Sequence, residues 1–271
     1  MNVPVYIVTG SSRGIGAATA KRLAARGARV LINYSTDRAA AESTASACER
    51  LGGETRIVQG DIGDDAACRA LARVALESWG RIDGLVNNAA TTSRVNFFDL
   101  DGLTLEEFVR VLSTNVVGTF SMTRAALPAL RESSGSVVNV SSDVAFTGAG
   151  SSLPYNASKG AINAMTKALA RAGAPNVRVN AVCPGVVATN WMAHALGENS
   201  FEQFREETIS RTPLQKIATP DDIAAAIVWL LDAPMVTGEL VPIDGGVRLL
   251  PIPTTTPPPA NGPGTPSEET K

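Results

Sequence analysis

The residues best suited to chemistry stand near the middle of the chain. Tyr155 and Lys159, in the stretch YNASK, are four apart within an Ala-rich run of helical period, so on a helix they share a face one turn apart. There the ammonium can lower the pKa of the phenol. An unperturbed phenol titrates near ~10, and a neighbouring cation brings proton exchange towards neutral pH. Surface helices also produce such pairs by chance, so this one takes its weight from the rest of the chain. His194 is the single histidine; the usual general base is missing from the candidates, and a His-rich metal site is excluded.

A second cluster lies near the N-terminus. Thr9-Gly10-Ser11-Ser12-Arg13-Gly14-Ile15-Gly16 follows an apolar strand and opens a helix, where backbone N–H groups and the helix dipole favour an anion such as a pyrophosphate. The spacing Gly10, Gly14, Gly16 departs from G-x-G-x-x-G, and a tight turn needs glycine for its own geometry. After the second strand an acid serves the ribose hydroxyls in NAD binders. This chain has Asn33, Tyr34 and Ser35 there, with Arg13 in the loop beside them, a set that favours NADP(H) over NAD(H). Asp37 is placed to cap the next helix.

These residues need a scaffold that presents strand ends. Short β-branched runs at Val3–Thr9, Arg29–Asn33, Thr55–Gln59, Ile82–Asn87, Ser136–Ser141, Val177–Val182 and Leu240–Ile243 alternate with helical stretches. The predicted helices are Gly14–Arg26, Arg38–Leu51, Asp64–Trp79, Leu105–Leu130, Tyr155–Ala172 and Asp221–Leu231. The alternation predicts an α/β fold on a parallel sheet. No linker interrupts it, so residues 1–250 form one expected domain, and the Pro-rich stretch 251–271 is expected to be a disordered tail.

With 24 basic and 26 acidic residues, the chain offers no basic field for nucleic acid. No apolar run reaches the ~18 residues of a membrane span. Cys48, Cys68 and Cys183 are odd in number and lack CxxC spacing, which points to reduced thiols and a cytoplasmic location. A small-molecule partner is the expectation.

TGSSRGIG, NNAA at 87–90, Asn115 in LSTNVVGTF, NVSS at 139–142, YNASK and NAVCPGVVAT at 180–189 stand in an order and spacing that resemble the single-domain short-chain dehydrogenase/reductase family, over residues 3 to about 247. The resemblance implies a Rossmann-type doubly wound parallel sheet of seven strands with helices on both faces, and hydride transfer between a nicotinamide and a carbonyl or alcohol. It makes Tyr155 the general acid, Lys159 the group that lowers its pKa and holds the nicotinamide ribose, and Ser142 the stabiliser of the substrate oxygen. Asn115 becomes the residue that positions a water behind the lysine. Further cofactor contacts implied are Gly10, Ser12, Gly14, Ile15 and Gly16 in the loop, Asp61 at the adenine amino group, Ile62 against its ring, Asn88, Ala89, and Pro184, Gly185, Val187 and Thr189 over the nicotinamide. Asn87 is expected to brace the sheet. Ala90 stands where the family commonly has glycine.

Within that family the resemblance is closest to the 3-oxoacyl-carrier-protein-reductase group, which implies reduction of a ketone, with a 3-oxoacyl thioester as one substrate. The alternatives are an alcohol, sugar or steroid dehydrogenase working oxidatively, and a cofactor-binding redox sensor. The substrate loop is expected over Thr189–Arg211, with Trp191, Met192, Phe201 and Phe204 as an apolar lid. The family also implies a homotetramer or homodimer joined through the helices around residues 104–131 and 155–172, where Ala161, Ala164 and Ala168 permit close approach.

Overall fold

The structure, a computed structural model, describes residues 3–95, 98–189 and 198–249. Seven strands form one wholly parallel sheet in the order β3-β2-β1-β4-β5-β6-β7. They are β1 (Val5–Val8), β2 (Arg29–Tyr34), β3 (Glu54–Gln59), β4 (Gly84–Asn87), β5 (Ser136–Val140), β6 (Arg178–Pro184) and β7 (Leu240–Ile243). Every residue of β1, β4 and β5 is buried, because helices cover both faces of the sheet centre.

The helices are α1 (Gly14–Ala24), α2 (Arg38–Arg50), α3 (Asp65–Trp79), α4 (Leu105–Leu112), α5 (Gly118–Ser133), α6 (Val144–Thr147), α7 (Leu153–Gly173), α8 (Glu198–Arg211) and α9 (Pro220–Asp232). On one face Leu23 of α1, Ala41 of α2 and Ile223, Ile227 and Leu230 of α9 pack on Val8, Val30 and Val138. On the other, Leu71 of α3, Met122 and Leu130 of α5 and Ala170 of α7 pack on Ile7, Leu31, Leu85 and Val137. The apolar stripes that mark these helices in the sequence are the surfaces that cover the sheet.

One predicted helix is two. The stretch 105–130 is interrupted by a π turn at Ser113–Val117, where Asn115 turns its side chain inward and Gly118 follows in close contact with Ile62; a Cβ at Gly118 would stand 2.8 Å from the Ile62 carbonyl oxygen. α6 and α8 were not anticipated. α6 is a single turn, and α8 is strongly polar, without the apolar stripe that reveals a helix.

Strand order reverses between β1, which continues to β2, and its other neighbour β4, so a crevice opens at the C-terminal ends of these strands. The glycine loop follows β1, Asn88 follows β4, and Ser142 follows β5. Trp191, Met192 and His194, and the Pro-rich segment 251–271, lie outside the described residues, and the Phe201 side chain is not described.

Candidate active site

α7 carries the Tyr/Lys pair. Ser152 caps it, its hydroxyl accepting from the Tyr155 N–H, and Pro154 sits in the first turn. Tyr155 and Lys159 are 9% and 2% exposed. The Lys159 ammonium lies 5.3 Å from the centroid of the Tyr155 ring and donates to the Val140 carbonyl at 2.7 Å. Ser141 ties the strand end to the helix: its hydroxyl donates to Asn163 Oδ1 at 2.7 Å. Ser142 hydrogen-bonds to Tyr155, and its hydroxyl also donates to Asp143 Oδ1 at 3.1 Å and reaches the Pro184 carbonyl at 3.3 Å. β5, β6 and α7 thus bring Ser142, Tyr155 and Lys159 together.

Burial lowers the Lys159 pKa to about 8. Tyr155 behaves otherwise than expected. Its pKa is raised, chiefly by burial, against a lowering by the Ser142 hydrogen bond; the charge of Asp143 adds a lesser raising influence. The Lys159 ammonium is directed at the Val140 carbonyl, and the loss of water around the phenol is the dominant influence on it.

Asn115 is fully buried, with Oδ1 accepting from Thr91 N–H at 2.8 Å and Nδ2 donating to the Thr91 carbonyl and to Ser158 Oγ, each at 2.9 Å. The amide therefore ties the segment after β4 to α7; the π turn is what lets it reach both partners.

The glycine loop is built by contacts to the strand ends. Gly10 and Gly14 have φ of +59° and +58°, a conformation that favours glycine. A Cβ on Gly16 would lie 2.6 Å from Asn88 Nδ2 and from the Gly10 carbonyl oxygen. Asn88 Nδ2 donates to the Thr9 and Gly10 carbonyls at 2.9 and 3.0 Å, and Thr9 Oγ1 accepts from the Asn88 and Ala89 N–H groups. Ala89 packs against Gly10, while Ala90 is exposed and has no left-handed backbone to strain. Ser12 accepts from Thr44 Oγ1 through its carbonyl, and Ile15 packs against the core. Across the crevice, Thr189 Cγ2 would stand 3.8 Å from a Cβ on Gly14. Pro184 ends β6, Gly185 donates to the Ile243 carbonyl at 3.1 Å, and Val187 is buried and bridges to Ala218.

A family described as enoyl-(acyl carrier protein) reductase matches residues 10–248. A Streptomyces violaceoruber protein assigned as ketoacyl reductase 2 of the granaticin polyketide synthase is 42% identical over 248 residues, 91% of this chain and 97% of that one. A Burkholderia xenovorans protein assigned to the short-chain dehydrogenases/reductases superposes with a TM-score of 0.85 at 39% identity, covering 92% of this chain and 99% of its own. The chain belongs to the short-chain dehydrogenase/reductase family. Levodione reductase superposes equally well, TM-score 0.85 at 31% identity over 92% of this chain and 100% of that one. As a short-chain dehydrogenase/reductase the protein is an oxidoreductase that interconverts carbonyls and alcohols with a nicotinamide cofactor.

The crevice fits that cofactor. Side chains cap α2, α3, α4, α7 and α9, namely Asp37, Asp64, Thr104, Ser152 and Thr219. α1 has neither a side-chain cap nor an acid in its first turn, so its orphan N–H groups face the crevice ready for an anion. Arg13 stands beside it, half exposed, its Nη2 3.0 Å from Asp37 Oδ2. Asp37 also caps α2, accepting from Ala40 N–H at 3.0 Å, as the sequence indicates.

Several short-chain dehydrogenase/reductase positions also do structural work. Asn33, 1% exposed, accepts from Gly10 N–H and donates to the Gly60 carbonyl, both at 3.0 Å; it holds the loop against β2. Tyr34 is buried in the core and Ser35 is exposed. Ile62 is buried against Leu71 and Met122 and has little surface left for an adenine ring. Asp61 is exposed and accepts from Gly63 N–H at 2.9 Å, a local turn, while Asp64 caps α3. Asn87 braces the sheet as expected, donating to Thr123 Oγ1 and Asn139 Oδ1. Asp143 was not singled out from the sequence; an acid directly after Ser142 was its only signal. Among the described residues no cluster could hold a metal ion, and no helix is long and apolar enough to cross a membrane.

Proposed function

We propose that the protein is an NADPH-dependent carbonyl reductase that converts a ketone to an alcohol, with Tyr155 as the proton donor. The observation that carries this is the buried convergence of Ser142, Tyr155 and Lys159 beside an uncapped, glycine-lined helix N-terminus. The bound nicotinamide supplies the hydride. The protein handles the proton and the charge: Tyr155 donates its phenolic proton to the carbonyl oxygen, and Ser142 shares the developing negative charge through its hydroxyl. Lys159, buried and still cationic at neutral pH, favours the phenolate left behind and holds the ribose hydroxyls. Asn115 acts through others, fixing Thr91 and α7.

The preference for NADPH rests on the exposed Arg13 guanidinium at the loop and on the lack of an acid at the end of β2. Asp61, Thr189 and the Pro184-Gly185 segment line the rest of the cofactor's path. An apolar surface on α4 and α5, with Leu105 and Val109 of α4 and Phe120 of α5 exposed, supports a homotetramer or homodimer. The three free, buried cysteines are in keeping with a cytoplasmic protein. Residues 1–250 are proposed as the functional domain and 251–271 as a tail outside it.

The test follows NADPH and NADH consumption with 3-oxoacyl thioesters, cyclic and open-chain diketones, quinones, aldehydes and sugars, with Tyr155→Phe as blank. Tyr155-dependent oxidation of NADPH by a ketone is the expected result. Faster turnover of NADH, or activity unchanged in Tyr155→Phe, overturns the corresponding part of the proposal. Tight NADPH binding without turnover of any carbonyl would favour a redox-sensing role instead.

A further inference from the structure

The carboxylate beside Ser142 has no part in the mechanism above. Asp143 directly follows Ser142 past the end of β5, and its N–H donates to the Pro184 carbonyl at 2.9 Å, which fixes its backbone to the end of β6. Its Oδ1 accepts from Ser142 Oγ at 3.1 Å. A serine has a single proton to give. While Asp143 holds it, that proton is withheld from an oxygen beside Tyr155. We propose that Asp143 is a positioning residue: by accepting from or donating to Ser142 Oγ, its carboxyl group decides whether the serine can donate to the substrate oxygen that gains charge during reduction. The inference rests on the carbonyl-reductase function proposed above.

The surroundings allow the carboxyl group to change state. Asp244, just past β7, is the charged group that acts on it, and Gly185 separates the two; a Cβ there would be 3.0 Å from Asp244 Cα and 3.6 Å from Asp143 Oδ2. Arg248 serves Asp244, at 3.2 Å from Oδ2. Tyr155 of α7 and Cys183 of β6 both feel the Asp143 charge, and the Lys159 ammonium is directed at the Val140 carbonyl. Burial above all, with the charge of Asp244, raises the Asp143 pKa to about 6, against a lowering by the Ser142 hydrogen bond. Above that pH the carboxylate takes the serine proton and raises the Tyr155 pKa, making the phenol a weaker acid; both effects oppose reduction. Below it the carboxylic acid donates to Ser142 and frees the serine proton for the substrate.

The experiment measures kcat/KM for reduction of cyclohexane-1,4-dione, or of the panel ketone turned over fastest, from pH 5 to 8 with the full chain, Asp143→Asn and Asp143→Glu. The wild type is expected to fall roughly 10-fold through an inflection near the Asp143 pKa of about 6. That is less than the ~10²–10³ of a lost oxyanion donor, because the hydroxyl stays in place. Asp143→Asn, whose amide donates at every pH, is expected to lose the inflection and keep the high rate, and Asp143→Glu to restore an inflection. An inflection that persists in Asp143→Asn, or a flat wild-type profile, overturns the proposal. A second readout needs no turnover: carboxyl ¹³C NMR titration of Asp143 in the wild type and in Ser142→Ala, where loss of the hydroxyl should move the titration upward. An unmoved titration overturns the proposal whatever the activity. A moved titration in a protein that reduces no carbonyl of the panel overturns the carbonyl-reductase function instead.

Discussion

Replacing Lys159 with methionine tests whether the site keeps a charge at the expense of stability. Lys159 is 2% exposed, and its pKa is lowered from 10.5 to about 8 by burial. At 1.36 kcal/mol per unit, that difference between folded and unfolded pKa costs about 3 kcal/mol of folding stability at pH 7, where the lysine is cationic in both states. The sign follows from a depressed folded pKa. The contribution to stability is present in full above the unfolded pKa of 10.5 and is lost as pH falls through about 8. The methionine variant carries no such loss. It does leave the Val140 carbonyl without its donor, a penalty of about 1–3 kcal/mol that does not change with pH. Urea unfolding of both proteins at pH 7 and pH 10 separates the two effects. Between these pH values the stability of Lys159→Met relative to wild type should improve by about 2–3 kcal/mol on going to pH 7, while turnover is lost. A stability difference that is the same at both pH values would refute the claim that the buried lysine is strained as a cation.

Gly16→Ala should lose about 1–3 kcal/mol of stability and weaken cofactor binding, because its Cβ would meet the Gly10 carbonyl at 2.6 Å and the backbone there has no room to yield; thermal unfolding and a fluorescence titration with NADPH read both. Arg13→Gln should weaken NADPH by about 1.5–3 kcal/mol, roughly 10- to 100-fold, and spare NADH. Its ion pair with Asp37 is exposed and adds at most about 1 kcal/mol of stability, so equal weakening of both cofactors would place the 2′-phosphate elsewhere. Thr219→Ala removes one half of the α9 capping box, in which Thr219 Oγ1 accepts from Asp222 N–H and Asp222 Oδ2 from Thr219 N–H. It should cost about 1 kcal/mol in urea unfolding and leave kcat unchanged.

The alternation of β-branched runs with amphipathic helices was enough to indicate the seven strands and a parallel sheet, because burial on a parallel sheet writes its period into local sequence. The Tyr155/Lys159 pair, the glycine loop and the Asp37 cap were equally legible, since each depends on neighbours within one turn or one loop. What local sequence could not determine depends on residues distant along the chain. The break at Asn115 exists because its amide finds Thr91 and Ser158. Asn33 and Ile62 turn inward because the loop after β1 and the start of α5 pack over them. The Tyr155 pKa rises where the helix pattern alone predicts a fall, because desolvation depends on everything packed around the phenol. Asp143 gains its raised pKa from burial and from Asp244, which β7 carries in from the far end of the chain. Spacing along the chain determined which groups this protein has available; only tertiary packing decided which of them face the crevice, which are used up inside the fold, and at what pH they hold their protons.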